Sequence, residues 1–487
     1  MPPSNVVITA IAEGGAAASR CPSSPGPRPL HLQLRRPRPA GAPSDEGVSA
    51  GDGTGAGAGP GTPAAIAEMA EASADDSSRM PPCGSLWMMY YLAFLVVTNM
   101  VIVIPTADEY ATRLGAGQVF SGLVISLTPF LSGLIGVPLN YWMLQRSMDL
   151  KSILFLMVFG GILGNTLYGL GALTRSKWTL LFARSIIGIC QCQIAGPVYI
   201  AKAVGIQRRS RVMFIFATCT AVAFTSGPLL AGLLVTFLKE ARIHNLVLDS
   251  DTIPGWFMAI LYLFYLLKVF FIFENPPQEA ADRHPRPSSA GQDEQMWSCG
   301  LLVCYWAMFA GPMANTMCEV FGVKLAQQWW GWNVEASGYY MAFVMALVIP
   351  LSLGSGKLTE LIEDRRGLRL VCAAGTLCSV LLYDFGYSST RVYASVLFLG
   401  LVLYQGSACI VRNYIYAMVS KLVPTSKKPL ASTIMMSVLT VGRGTGSIIG
   451  ALLSPTSFAI AQTALFSITL VLVSCTYSHL QQHAKAT

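Results

Sequence analysis

LLFARSIIGICQCQIAGPVYI (180–200), AKAVGIQRRSRV (201–212) and MFIFATCTAVAFTSGPLLAGLL (213–234) form the stretch whose reading decides the fold. Two apolar runs are joined by a basic hinge, and each run is long enough to cross a hydrocarbon core of about 30 Å as a helix. Arg184 lies inside the first run, followed by Gly188; the second holds Gly227-Pro228 and Ala231-Gly232. In lipid a freed carbonyl or a guanidinium persists only where neighbouring helices or a wet cavity satisfy it. These two runs therefore belong inside a bundle built around a path.

Similar runs recur on both sides. Spans are expected at 86–106, 118–141, 152–173, 178–200, 210–236, 254–273, 297–321, 334–356, 368–385, 392–418, 430–453 and 456–477. The polar segment 275–296 separates the sixth from the seventh. The expected architecture is an all-α membrane protein with twelve transmembrane helices in two six-helix bundles, 85–274 and 297–477, and a short tail at 478–487. Residues 1–84 are rich in Gly, Ala, Pro and Ser and lack apolar periodicity, which reads as a disordered cytosolic tail. Its arginines (Arg20, Arg28, Arg35, Arg36, Arg38) fit a transit segment, an anionic-lipid patch or a solvated tail.

Composition agrees. Of 487 residues 53% are hydrophobic and 12% charged, with a mean hydropathy of +0.52, which excludes a soluble globular domain. The net charge of +8 is scattered over short loops, unlike a nucleic-acid-binding face. Lys and Arg concentrate after even-numbered spans (Arg146, Lys151, Lys202, Arg208, Arg209, Arg211, Arg365, Arg366), which places those loops and both termini in the cytosol. Most of the 12 cysteines fall within spans, where they pack as small hydrophobes; no disulfide framework and no metal site is expected, and Cys83 is a candidate for palmitoylation. There is no HExxH, GxSxG or GxxxxGK[ST], so catalysis is not expected.

Ionisable residues inside spans are few. An arginine at mid-helix costs roughly 2.5–3.5 kcal/mol on insertion scales, so Arg184, Arg412 and Arg443 ask for a reason. Arg443, flanked by Gly442 and Gly444, has room to meet an anion or to lock helix packing; Arg412, Arg184, Gln193 and Tyr199 are further candidate solute contacts. Asp108, Glu109 and Glu319 are candidates for proton coupling. Gly136, Arg146, Gly227, Pro228, Gly356, Glu360, Asp364, Arg365 and Arg366 are candidate gating positions, where glycines permit close approach and charges can pair across a seam. Lys268 reads as a snorkelling residue. Trp329-Trp330-Gly331-Trp332 reads as an interfacial belt or as a wall for a neutral solute. Tyr477-Ser478-His479-Leu480 resembles a tyrosine sorting signal.

Together, the two six-span halves, Arg184-x-x-x-Gly188, Gly227-Pro228-x-x-Ala231-Gly232 and the glycine-led basic turns after the second and eighth spans resemble the major facilitator superfamily. Val103 to Tyr110, Phe120-Ser121-Gly122 and Gly164-Asn165 are similar to the SPX-domain vacuolar phosphate transporters and, more distantly, to lysosomal ceroid-lipofuscinosis-type major facilitators. The similarity implies an endomembrane transporter of a small anion such as phosphate; a plasma-membrane site is the alternative, and the chain is expected to be a monomer with no cofactor, protons being a candidate coupling ion. It differs in carrying Gln193, Pro197 and Val198 where that branch has arginines, and the SPX domain is not visible in 1–84. A non-transporting sensor or scaffold, or a carrier of a neutral or lipid-like solute, is the alternative.

Overall fold

The structure is a computed structural model; it describes residues 79–146, 148–237, 241–243, 246–276, 298–386, 389–423, 427–478 and 480, with no side-chain description at 206–207, 210, 241–243, 246–248 and 355–361. Contacts divide the chain after Gly61, and everything that follows concerns the unit Thr62–Thr487. Of the 1–84 tail and the 275–296 linker, all but 79–84 and 275–276 lie outside the described residues, as does most of the 478–487 tail.

Among the described residues ten helices are long and apolar enough to cross a membrane: α1 Cys83–Val101, α2 Gln118–Gln145, α3 Leu150–Gly169, then α5, Ile206–Phe237, of which Arg211–Phe237 is the apolar part, α6 Ile253–Ile272, α7 Cys299–Gln328, α8 Val334–Leu361, α10 Thr390–Leu422, α11 Lys428–Leu452 and α12 Pro455–Cys475. The fourth and ninth expected spans exist but are interrupted. The fourth is α4, Lys177–Ile189, followed by a bend and a second helix at Ala195–Ala203; the ninth is α9, Asp364–Cys378, finished by a 3₁₀ turn at Ser379–Leu382. A short antiparallel hairpin, β1 Ala241–Ile243 and β2 Leu246–Leu248, lies between α5 and α6 and was not expected.

Within the first half α3 packs on α4 and α6, α2 on α4, and α1 on α5 and α6; within the second, α7 packs on α10, α11 and α12, and α9 on α10 and α12. The halves meet along α2 with α11 and α5 with α8. Small residues set these distances. A Cβ at Gly450 would stand 2.9 Å from the Met317 carbonyl of α7, and one at Gly444 2.7 Å from Phe130 of α2, so α11 is clamped between the halves by glycines on opposite faces. Inside α2, Ser132–Gly136 forms a π turn, a wider coil that recurs at functional positions. Gly136 there lies against the last carbonyls of α4, with a Cβ 2.8 Å from the Gly188 oxygen.

At the end carrying the odd-numbered loops, hydrogen bonds tie the halves together: Gln327 Nε2 donates to the Pro105 carbonyl (2.9 Å), Gln328 Nε2 to Asp108 Oδ2 (3.0 Å), and Thr236 and Tyr339 hydroxyls meet at 2.9 Å. A cavity of about 860 Å³ opens above them, lined from both halves by Asp108, Glu109, Arg113, Asp251 and Glu335 among others.

Candidate functional site

The seam between the halves holds a buried ion pair. Arg443 Nη2 on α11 donates to Glu319 Oε2 on α7 at 2.8 Å, and both residues are about one-twentieth exposed or less (5% and 4%). On its other side the guanidinium carbon lies 4.4 Å from the centroid of the Phe224 ring on α5, in the opposite half. Arg443 Nε has no hydrogen-bond partner among the described residues. A guanidinium is forked and planar, so it can hold a carboxylate, an aromatic face and a further oxygen in different directions. One turn along α7 from Glu319, Asn315 keeps an unpartnered carbonyl oxygen. Behind this, Tyr404 donates to Gln462 Oε1 (2.7 Å) and Gln462 donates to the Ala314 carbonyl (3.1 Å), a network that fixes α7 against α10 and α12.

Arg184 is held differently. It is completely buried, and Nε donates to the Val124 carbonyl (3.1 Å) and Nη1 to the Asn99 carbonyl (3.2 Å). Those acceptors are backbone atoms of α2 and α1, so the guanidinium staples three helices of one half together. Thr128 donates to the Arg184 carbonyl (3.1 Å), fixing the same crossing from the other side.

The bend in the fourth span, residues 190–194, brings side-chain amides into the middle of the first half. Asn140 Nδ2 donates to the Gln191 carbonyl (3.0 Å), which α4 can no longer satisfy. Gln193 Nε2 donates to Gln191 Oε1 (3.1 Å) and to the Met100 sulfur (3.5 Å). Gln191, 2% exposed, keeps an unpartnered Nε2.

The remaining candidates are placed as follows. Tyr199 is buried against Phe273 (5.4 Å between centroids), away from the seam. Arg412 is half-buried on α10 beside Tyr416. Asp108 accepts from Ser121 (3.0 Å) and Gln328, joining the halves at the odd-loop end, while Glu109 lines the cavity above. Gly227-Pro228 sits where α5 meets α1 and α8; a Cβ at Gly227 would overlap Val101, and the Pro228 carbonyl faces Gly338. Arg146 is exposed and lies over Trp142 (5.3 Å). Arg365 and Arg366 pair with Glu363, and Asp364 pairs with Lys421 (2.5 Å), all within the second half. Gly356 and Glu360 lie outside the described side chains. Lys268 is exposed, over Tyr91. Trp330 packs against Trp332, Tyr340 and Tyr393, an aromatic cluster internal to the second half. Among the described residues no group of three or more His, Cys, Asp or Glu could hold a metal ion. Reading the sequence missed Phe224 and Gln191. Gln191 carried the same signal as Gln193, a carboxamide in an apolar run; Phe224 carried none.

Two six-helix halves meeting over a buried charge pair define a multi-pass membrane protein of transporter architecture. The Major Facilitator Superfamily model matches residues 87–416, and the chain belongs to that superfamily. It is 31% identical over 202 residues to an SPX domain-containing membrane protein of Arabidopsis thaliana, covering 41% of this chain and 27% of the relative. A rice relative of the same description (Oryza sativa subsp. indica) is 32% identical over 205 residues, 42% of this chain and 28% of the relative. The match thus spans little more than a quarter of these relatives. A bacterial homologue of the human lysosomal transporter Spinster, inward-facing and occupied, superposes with a TM-score of 0.59 at 14% identity, covering 82% of this chain and 96% of that one. A human organic anion transporter, TETRAN, superposes with a TM-score of 0.55 at 17% identity, covering 81% and 100%. At these identities the two structures speak for the fold alone.

Proposed function

We propose that the protein is a secondary transporter that moves a small anionic solute by alternating access, with Arg443 as the anion-facing group and Glu319 as its proton-coupling partner. The observation that carries this reading is the position of Arg443: buried at the seam, bonded to a carboxylate of its own half and laid on Phe224 of the other. A guanidinium held by a carboxylate can exchange that carboxylate for an incoming anion. The released Glu319, still out of water, then takes a proton, so that solute and proton travel together. Bringing the halves apart strips Phe224 from the guanidinium and ties the charge pair to the rocking motion. The halves are joined at the odd-loop end, which the loop charges assign to the non-cytosolic side, with both termini cytosolic. The likeness to SPX-domain proteins favours a vacuolar or lysosomal membrane, and a monomer is the working unit.

Uptake of radiolabelled phosphate into proteoliposomes, with unlabelled organic anions as competitors and with or without a pH gradient, tests this. Arg443→Ala should abolish uptake, and Glu319→Gln should leave exchange but remove its response to the gradient. Uptake by Arg443→Ala at the parent rate would refute the reading.

A further inference from the structure

The basic hinge between the fourth and fifth spans takes no part in anion capture, and the chain's own amino-terminal segment enters the fold against it. Gly205 N donates to the Arg79 carbonyl at 2.9 Å, and the Gly205 carbonyl accepts from the backbone of Arg208 and Arg209 in the first turn of α5 (3.1 Å each). Arg209 is committed to the hinge itself: Nη2 donates to the carbonyls of Ala201 (2.8 Å) and Val204 (3.1 Å) and fixes the corner between the two helices. Lys202, Arg208 and Arg211 are exposed, and none of the three has a hydrogen bond or an ion pair among the described residues. Residues 195–215 contain no acid to neutralise them.

The segment that leads up to Arg79 has the opposite charge. Residues 39–78 contain no lysine, arginine or histidine, and the last part carries Glu68, Glu71, Asp75 and Asp76. An extended chain spans at most about 3.6 Å per residue, so Asp76 lies within about 11 Å of Arg79 and its bond to the hinge. That is about one Debye length at moderate salt, and the tether holds the segment at an effective concentration in the millimolar range. We propose that the acidic segment Glu68–Asp76 docks on Lys202, Arg208 and Arg211 as an internal ligand. Exposed pairs of this kind are individually weak, so the contact draws its occupancy from the tether and stays releasable. The hinge opens α5, the helix that packs on α8 across the seam and carries Phe224 to Arg443. A docked segment therefore loads the end of a helix that bridges the halves.

The test uses the full chain purified in an uncharged detergent and titrated with a synthetic peptide of residues 62–78, followed by microscale thermophoresis, so it needs neither solute nor transport. A chain carrying Glu68→Gln, Glu71→Gln, Asp75→Asn and Asp76→Asn leaves the hinge vacant and should bind the peptide. The parent should bind it about tenfold more weakly, because its own segment competes from the tether. A peptide with the same four acids neutralised should not bind, and raising salt from about 50 to about 500 mM should erase the difference between the chains. Adding Lys202→Gln, Arg208→Gln and Arg211→Gln to the acid-neutralised chain should abolish peptide binding; should that chain fold poorly, the neutral peptide still decides. Equal binding by the parent and the acid-neutralised chain, or binding by neither, would overturn the inference. So would a hinge variant that keeps the peptide and instead loses phosphatidylserine supplied in mixed micelles, which would give these cations to lipid headgroups.

Discussion

Arg184 and Arg443 are both buried in the membrane interior, one in each half, but their partners are opposite in kind. Arg184 is satisfied by backbone carbonyls of two neighbouring helices. Arg443 is satisfied by a side chain, Glu319, and by a ring from across the seam. Backbone carbonyls cannot leave without moving a helix, so the first arginine is a fastener. A carboxylate can rotate away, protonate or be replaced, and the function proposed above takes the second as an exchangeable contact. A buried charge in a membrane protein is thus a clue to function according to what pays its desolvation, more than according to its depth.

The largest expected effect separates the two directly. Arg184→Met leaves carbonyls of α1 and α2 without donors and should lower stability by about 3–5 kcal/mol, as measured by thermal unfolding in detergent, while the folded fraction transports at the parent rate per molecule. Should Arg184→Met abolish transport without loss of stability, the comparison fails. Arg443→Met comes next. Uptake should fall at least about a hundredfold, equivalent to about 2.7 kcal/mol in the barrier, with a smaller loss of stability from the stranded Glu319. Adding Glu319→Gln should recover the stability and not the transport, whereas recovery of both would make the pair a fastener as well.

The third prediction concerns the odd-loop end. Arg113 bonds to both Asp249 and Asp251 there. Burial, reinforced by the Glu109 charge and opposed by Arg113, pushes the Asp251 carboxyl up to about 6. A native pKa above the unfolded value of about 3.9 means that the native state holds the extra proton, so the contribution is fully present below about pH 4 and is lost as pH rises through 6. Asp251→Asn, which resembles the protonated acid, should therefore raise the Tm relative to the parent near neutral pH, with the gain shrinking toward zero as the buffer is acidified through that window. A gain that is flat with pH would assign the effect to something other than this carboxyl. The smallest effect belongs to Gln328→Ala. Losing its bond to Asp108 should cost under about 1 kcal/mol and appear as faster labelling of a cysteine placed at the seam.

Much of this was legible in the chain. The helical membrane fold follows from apolar run length, ten of the twelve expected spans being long and apolar enough to cross a membrane among the described residues, and the cost of charge in lipid is what draws attention to Arg443. The bend at 190–194 was not legible, because Cys-Gln-Cys-Gln-Ile contains neither glycine nor proline and the surrounding run is long enough to pass for one helix. The partner of Arg443 was legible as a candidate acid, but Glu319 lies 124 positions away and only the packing of α7 on α11 joins them. Phe224 looks like any lipid-facing aromatic until α5 is seen against α11. The fold was written in local periodicity, whereas the site depends on which helices touch.

The carboxyl-terminal residues bear on where the protein resides. The Tyr477 ring lies beneath Arg365 and Arg369, at 4.9 and 4.7 Å, and Leu480 is buried in the apolar interior of the second half. The two side chains that a reader of a Tyr-x-x-Leu address would grip are thus already gripped by the molecule that bears it. In the folded protein Leu480 is withheld from any such reader while Tyr477 stays half-buried. Use of this segment as an address would first require Leu480 to leave the apolar interior of the second half.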